Sequence, residues 1–415
     1  MNLEQVQKLD QEFVLHTYDR YPVLLTGGKG VYVTDDQGNE YLDFLSGIGV
    51  NALGYGHPAI EKAITTQVSK GLLHSSNLFH NEHQAQLAQK LCQISGMDKA
   101  FIANTGTEAW EGALKFARLH ALVKTEQDGK KRSRIIAVHN SFHGRSFGAL
   151  STTGQPKYRE PFAPGLPDVD FVHLNDVAEL MGKVDGSVAA ICFETVQGEG
   201  GIVPVTPEFF IAARKLADSV GALLIIDEIQ CGLGRTGKWF AYQHYDVRPD
   251  IVTVAKPIAG GVTLAAILMT EAVAACVKPG MHGTTFGGGP LACAAGVAAL
   301  NTIEEERLLD HVAELGAYIA HKLNALKTKL DCIAEVRTMG LMIGIDLKSA
   351  EIAKQTVAEM LKRKIIINRT HETVLRFLPP YIITKEHADL VLNSLEQVIN
   401  EQAAAVAAVE EANVG

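Results

Sequence analysis

Five short apolar runs, at residues 99–103, 134–138, 189–193, 222–226 and 251–255, dictate the architecture of the middle of this chain. Each is mostly apolar rather than alternating, as expected for strands buried on both faces. Between them lie stretches with helical spacing, such as 85–93 and 108–123. Strands alternating with helices predict an α/β unit with a mainly parallel sheet flanked by helices. Ahead of this unit, residues 30–34 alternate, meet the turn cluster 35–39 (DDQGN) and resume at 41–44, which reads as a hairpin. Past residue 300 the pattern changes to a long helical stretch at 308–330, strand-like runs at 341–347, 364–368 and 374–377, and a helix from about residue 385. With 415 residues there is room for two or three such units.

Ligands of open α/β sheets gather beyond the carboxyl ends of the strands. Four of the runs pass directly into polar residues there. Residue 103 leads into Asn104, Thr105, Gly106 and Thr107 just before a helix, 193 into Glu194, 226 into Asp227, Glu228 and Gln230, and 255 into Lys256. A partly desolvated lysine at a strand end can form an imine. A carboxylate near it can keep a pyridine-type nitrogen protonated and make the ring an electron sink. A Thr-Gly-Thr opening a helix offers free N–H groups, hydroxyls and the positive dipole end to a phosphate. Singly, such a lysine is usually a surface residue, such a triplet a cap and such an aspartate the start of a loop. Their conjunction in one chain is what points to a cofactor. The stretch 232–238 (GLGRTGK) imitates a nucleotide loop, but Trp239 stands where the magnesium-binding hydroxyl belongs and the distance from the preceding strand is wrong.

The formal net charge of −9 argues against a nucleic-acid partner, while a local arginine can still hold a small anionic substrate. No apolar stretch is long enough for a membrane span, and the first residues lack the features of a signal peptide. The six cysteines are scattered, with no zinc-type spacing, so no metal site is expected and a cytoplasmic location is.

Six motifs add a family resemblance: residues 104–109 (NTGTEA), 141–145 (SFHGR), 194–201 (ETVQGEGG), 227–237 (DEIQCGLGRTG), 255–256 (AK) and 282–288 (HGTTFGG). From about Tyr18 to about Val398 the chain resembles the class III aminotransferases of pyridoxal 5′-phosphate (PLP) fold type I. The resemblance implies a large PLP-binding domain at 58–299 and a smaller α+β domain assembled from 1–57 and 300–415. It implies that Lys256 holds the cofactor covalently and shuttles a proton, that Asp227 pairs with the pyridine nitrogen, and that Gln230 bonds the ring's phenolic oxygen. Phe142 would stack on the ring, and Gly106 and Thr107 would hold the phosphate. Thr285 would reach that phosphate from a second subunit, making the enzyme a homodimer with its site at the interface. Arg145 is implied as the clamp for a distal carboxylate of the donor, and Arg376 as the group that binds the α-carboxylate of glutamate or 2-oxoglutarate. Glu199 would neutralise Arg376 while an ω-amino donor is bound. The implied reaction passes the ω-amino group of N-acetyl-L-ornithine to 2-oxoglutarate. Ornithine, succinylornithine and 4-aminobutyrate are alternative donors, and mutase, decarboxylase or regulatory roles are remoter. Glu194 is expected on the cofactor or substrate side. His143 either lines the pocket or packs, and Ser46, Gly47 and Ile48 either line the entrance or form a plain loop. The chain departs from the pattern at Trp110, Pro257, Thr263, Leu264 and Gly289, which bears on the choice of donor.

Overall fold

In the computed structural model, which describes residues 1–414 and side-chain surroundings through residue 406, all five apolar runs belong to one seven-stranded sheet. Its order is Lys99–Ala103, Ala265–Met269, Ile251–Val254, Leu223–Asp227, Val188–Glu194, Arg134–Val138 and Val169–Val172. Every neighbouring pair is parallel except the two made by Ala265–Met269, which runs against both of its partners. The reason lies in its connection. Only a short turn around Lys256–Ala259 separates it from Ile251–Val254, and without a crossover helix the chain can return only antiparallel. Val169–Val172 is one of the two edge strands, and its Asp170 pairs with Arg134 at 2.6 Å, which interrupts the apolar signature.

The sheet is buried on both faces. One face packs against Leu87, Leu91, Phe209 and Phe210, the other against Trp110, Ala113 and Ala117 of the helix Gly106–Asp128. That helix lies close because its inner stripe is small. A Cβ on Gly112 would stand 2.3 Å from Ile267, far inside van der Waals contact.

A smaller α+β domain is built from both chain ends. Strands Tyr32–Asp35 and Glu40–Asp43 form the expected hairpin, and Ile365–Ile366 joins its edge in parallel. The run 364–368 is divided, since Asn368–Thr370 enters a second sheet with Val374–Phe377, Met342–Leu347 and Ile333–Met339. One core unites Val31, Leu42 and Phe44 with Leu315, Ile343, Phe377 and Leu395. The helix Pro290–Glu305 runs across residue 300 and serves both cores, placing Cys293, Ala295 and Leu300 on the sheet and Ala299 and Ile303 on the small domain.

The nucleotide-loop imitation at 232–238 is packing surface. Gly237 lets Ala313 approach, since a Cβ there would stand 2.9 Å from the Ala313 methyl. The fully buried Arg235 donates to the Pro379 carbonyl and lies 4.6 Å from the centre of the Tyr381 ring. Among the described residues, no helix is long and apolar enough to cross a membrane.

Candidate active site

The parallel strands end together, and the residues that follow them enclose a cavity of about 400 Å³. Gly106, Thr107, Phe142, Arg145, Glu199, Asp227, Gln230 and Lys256 all line it, together with His143 and Glu194. Register explains the convergence. Asp227 lies beside Glu194 on one neighbouring strand and beside Thr253, three residues before Lys256, on the other.

Asp227 is buried and held in one orientation. Its Oδ1 accepts from the Ile229 N–H at 3.0 Å and its Oδ2 lies 2.7 Å from Nδ1 of His143. His143 therefore belongs to the site, and its ring is also stacked on Trp110 at a centroid distance of 3.9 Å and an angle of 7°. Glu194 ties two lining loops together by accepting from the N–H groups of Phe142 (3.0 Å) and Gly198 (3.1 Å). Burial, reinforced by the nearby Asp227 charge, pushes its carboxyl up to about 8. Glu228 faces away and braces the next turn, accepting from the Thr195 hydroxyl and the Ala241 and Tyr242 N–H groups.

Lys256 keeps a face open to the cavity but is otherwise enclosed. Loss of solvation lowers its ammonium to about 8; Glu199 opposes the fall and Arg376 adds to it. Arg376 stands behind Glu199. It is fully buried on the strand Val374–Phe377, donating from Nη1 to Glu199 Oε1 at 2.5 Å and from Nε to Asn368 Oδ1 at 3.1 Å. The charged pair leaves Glu199 below the ordinary carboxylate range in spite of burial.

The remaining residues are placed as follows. Thr285 is exposed and outside the wall of this cavity, in a loop tied down by the bond from the Asn77 amide to the Gly287 carbonyl at 2.9 Å. Ser46, Gly47 and Ile48 form a turn with φ of 49°, 63° and 62°, outside the cavity wall; Val50, just beyond it, is the residue that lines. Arg145 is exposed at the mouth, its guanidinium 3.9 Å from the centre of the Tyr158 ring and 5.6 Å from that of Phe142. No motif marked Tyr158, which stands on the four-residue helix Pro156–Arg159. Of the departures from the family pattern, Thr263 and Leu264 line the cavity, while Pro257 is buried in the first turn after Lys256, where a missing N–H costs nothing. Gly289 precedes the helix Pro290–Glu305 as its N-cap.

The wall suits one kind of group. The N–H groups of Gly106 and Thr107 open a helix and have no partner within it. The buried Oε1 of Gln230 has no protein partner, and a Cβ on Gly198 would come within 2.1 Å of it. A helix start for a phosphate, a fixed carboxylate for a ring nitrogen and an enclosed amine for a carbonyl together define a binding site for a phosphorylated, ring-bearing aldehyde.

Comparison with known proteins gives this class a family. The profile of the class-III aminotransferases matches residues 13–399. The acetylornithine aminotransferase of Caldanaerobacter subterraneus subsp. tengcongensis is 46% identical over 392 residues, covering 94% of this chain and 98% of that one. The acetylornithine aminotransferase of Methanocaldococcus jannaschii is 45% identical over 403 residues, covering 97% and 99%. A crystal structure of the ornithine aminotransferase of Toxoplasma gondii, with partial occupancy of PLP at its active site, superposes with a TM-score of 0.92 at 32% identity, covering 97% of this chain and 95% of that one. The chain belongs to the class-III aminotransferases, and pyridoxal phosphate is its cofactor.

Proposed function

We propose that this enzyme transfers the ω-amino group of N-acetyl-L-ornithine to 2-oxoglutarate, yielding N-acetylglutamate 5-semialdehyde and glutamate, as in arginine biosynthesis. The observation that carries this reading is the Arg376–Glu199 pair facing Lys256. Paired, Arg376 offers no free charge to an α-carboxylate, which suits a donor that presents an ω-amine. Unpaired, it suits 2-oxoglutarate. One pocket thereby serves substrates with two charge layouts. Relatives at 46% and 45% identity over nearly the whole chain are acetylornithine enzymes, which favours the acetylated donor.

When bound, pyridoxal phosphate supplies an electrophilic carbon and a ring that withdraws electrons. The residues divide the remaining work. Lys256 Nζ would hold the cofactor and take and return the proton of the amine-bearing substrate carbon; its pKa, lowered to about 8, brings its neutral form within about one pH unit of neutrality. Asp227 would hold a proton on the ring nitrogen, Gln230 would bond the ring oxygen, Phe142 would cover the ring face, and Gly106 and Thr107 would receive the phosphate. Arg145 orients the donor's distal carboxylate.

The enzyme works as a homodimer in this reading, with Thr285 completing the phosphate site of the second copy. Exposed apolar side chains beside the Thr285 loop, Leu78, Phe79 and Phe286, support a face covered by another subunit. Six free cysteines support a reducing, cytoplasmic setting. The test is an absorbance spectrum of the cofactor-loaded protein with N-acetylornithine and no oxo acid. The yellow band should bleach and return on addition of 2-oxoglutarate. A band that stays while ornithine or 4-aminobutyrate bleaches it would reassign the donor.

A further inference from the structure

We infer that Trp110 is a positioning residue for the cofactor: it fixes the imidazole of His143, and through it the Asp227 carboxylate. This rests on the reading that Asp227 faces the ring nitrogen. Trp110 has no solvent exposure. Its indole lies flat on the His143 ring, 3.9 Å between centroids at 7°. The indole cannot turn freely, because Nε1–H donates to Thr152 Oγ1 at 2.8 Å. The Thr152 hydroxyl passes its own proton to the carbonyl of Ala149 (3.1 Å) or Gly148 (3.2 Å), so the acceptor is itself oriented. On the other side, the His143 N–H donates to Thr153 Oγ1 at 3.0 Å. Backbone and ring are therefore both held, and Nδ1 is aimed at Asp227 Oδ2, 2.7 Å away.

Two consequences follow from chemistry. A carboxylate oxygen only accepts, so Nδ1 is the imidazole nitrogen that carries the proton and donates it. Parallel contact with the indole holds the imidazole plane in the orientation that makes this bond. Trp110 also stands three residues after Thr107 on the same helix, one turn from its start. The element that receives the phosphate thus also supports the residue that orients the partner of the ring nitrogen, so the two grips on the cofactor share one rigid body.

The test uses apo-protein labelled with ¹⁵N-histidine, with His143→Gln to assign the His143 signals, and the dissociation constant of PLP measured separately. Wild type is expected to show one tautomer, protonated at Nδ1. Trp110→Phe keeps a ring against the imidazole and should keep that signature. Trp110→Leu should give mixed tautomer signals and weaken PLP binding by about tenfold, as loss of an outer partner of a ligating group does. Thr152→Val leaves the indole but removes its acceptor, and should move the same signals less far in the same direction. Unchanged His143 signals in Thr152→Val overturn the inference even where Trp110→Leu does not fold. Equal loss of PLP from the Phe and Leu variants with unchanged signals overturns it as well, leaving Trp110 a packing residue. Asp227→Asn separates the underlying reading: PLP bound as tightly as in wild type would remove the role of Asp227, whatever the tautomer in the apo-protein.

Discussion

At the Asp227 end of the cavity each carboxylate oxygen has a partner and the residues behind it are buried, whereas at the Arg145 end the guanidinium is exposed and rests on the faces of Tyr158 and Phe142. Among the described residues no hydrogen bond fixes it. The two ends face different demands. The cofactor is the same in every turnover and gains from a site fixed in advance. Donor and acceptor differ in length and charge, and a site for both gains from groups that can swing. Arg376 lies between these extremes, buried like the first end and paired with Glu199, and in the proposed reading exchangeable like the second.

This contrast ranks the outcomes of substitution. The largest effect belongs to Lys256→Ala, which should lower kcat by on the order of 10⁴-fold, the upper range for loss of a proton-transferring group, while far-UV circular dichroism shows a folded protein. Activity within about tenfold of wild type would break the mechanism at its pinned end. Next comes Arg376→Lys. It keeps the charge but loses the planar fork, and should raise the KM for 2-oxoglutarate about tenfold. The half-reaction with N-acetylornithine should change less, because Glu199 already occupies the group in that state. Equal effects on both half-reactions would sink the exchange.

The pinned end was also the legible one. Lys256 and Asp227 stand directly after apolar runs and Gly106 two residues further past one, and a strand that ends in a polar residue announces its place in the sheet. The sheet was readable for the same reason, apart from Val169–Val172, where Asp170 at the edge breaks the run, and Ala265–Met269, whose direction depends on the length of its connection. The division of the run 364–368 was invisible to hydropathy, because the strand that enters the second sheet, Asn368–Thr370, is polar and shares only its first residue with the run. Tyr158 left no trace, since a ring on a four-residue helix gains its meaning only from the guanidinium folded onto it. Trp110 stood out in sequence as a departure, but its contact with His143 joins residues 33 positions apart through tertiary structure alone.

The loose end should respond weakly. Tyr158→Leu removes the cation–π contact and should raise the KM for N-acetylornithine about threefold, the yield of a partly exposed interaction of this kind, with kcat nearly unchanged. Tyr158→Phe should restore wild-type values. A kcat loss larger than the KM effect would mean that Tyr158 acts on Phe142 and the cofactor instead of on Arg145.

The smallest effect is a shift in pH dependence, and it probes how the two ends communicate. Capture of PLP by apo-protein requires neutral Lys256, so the capture rate should rise with pH and level off above about 8. The negative charge of Glu199 favours the ammonium form, and the positive charge of Arg376 opposes it. Glu199→Gln removes the first influence and leaves Arg376 opposed only by Asp227 and Glu194. The midpoint should therefore fall, by about one pH unit at most for charges at this degree of enclosure. The comparison is made between variants at equal ionic strength, so that titration of PLP itself cancels. A midpoint that stays or rises would mean that Glu199 does not face Lys256 in solution, and the link between the exchangeable arginine and the fixed lysine would be lost.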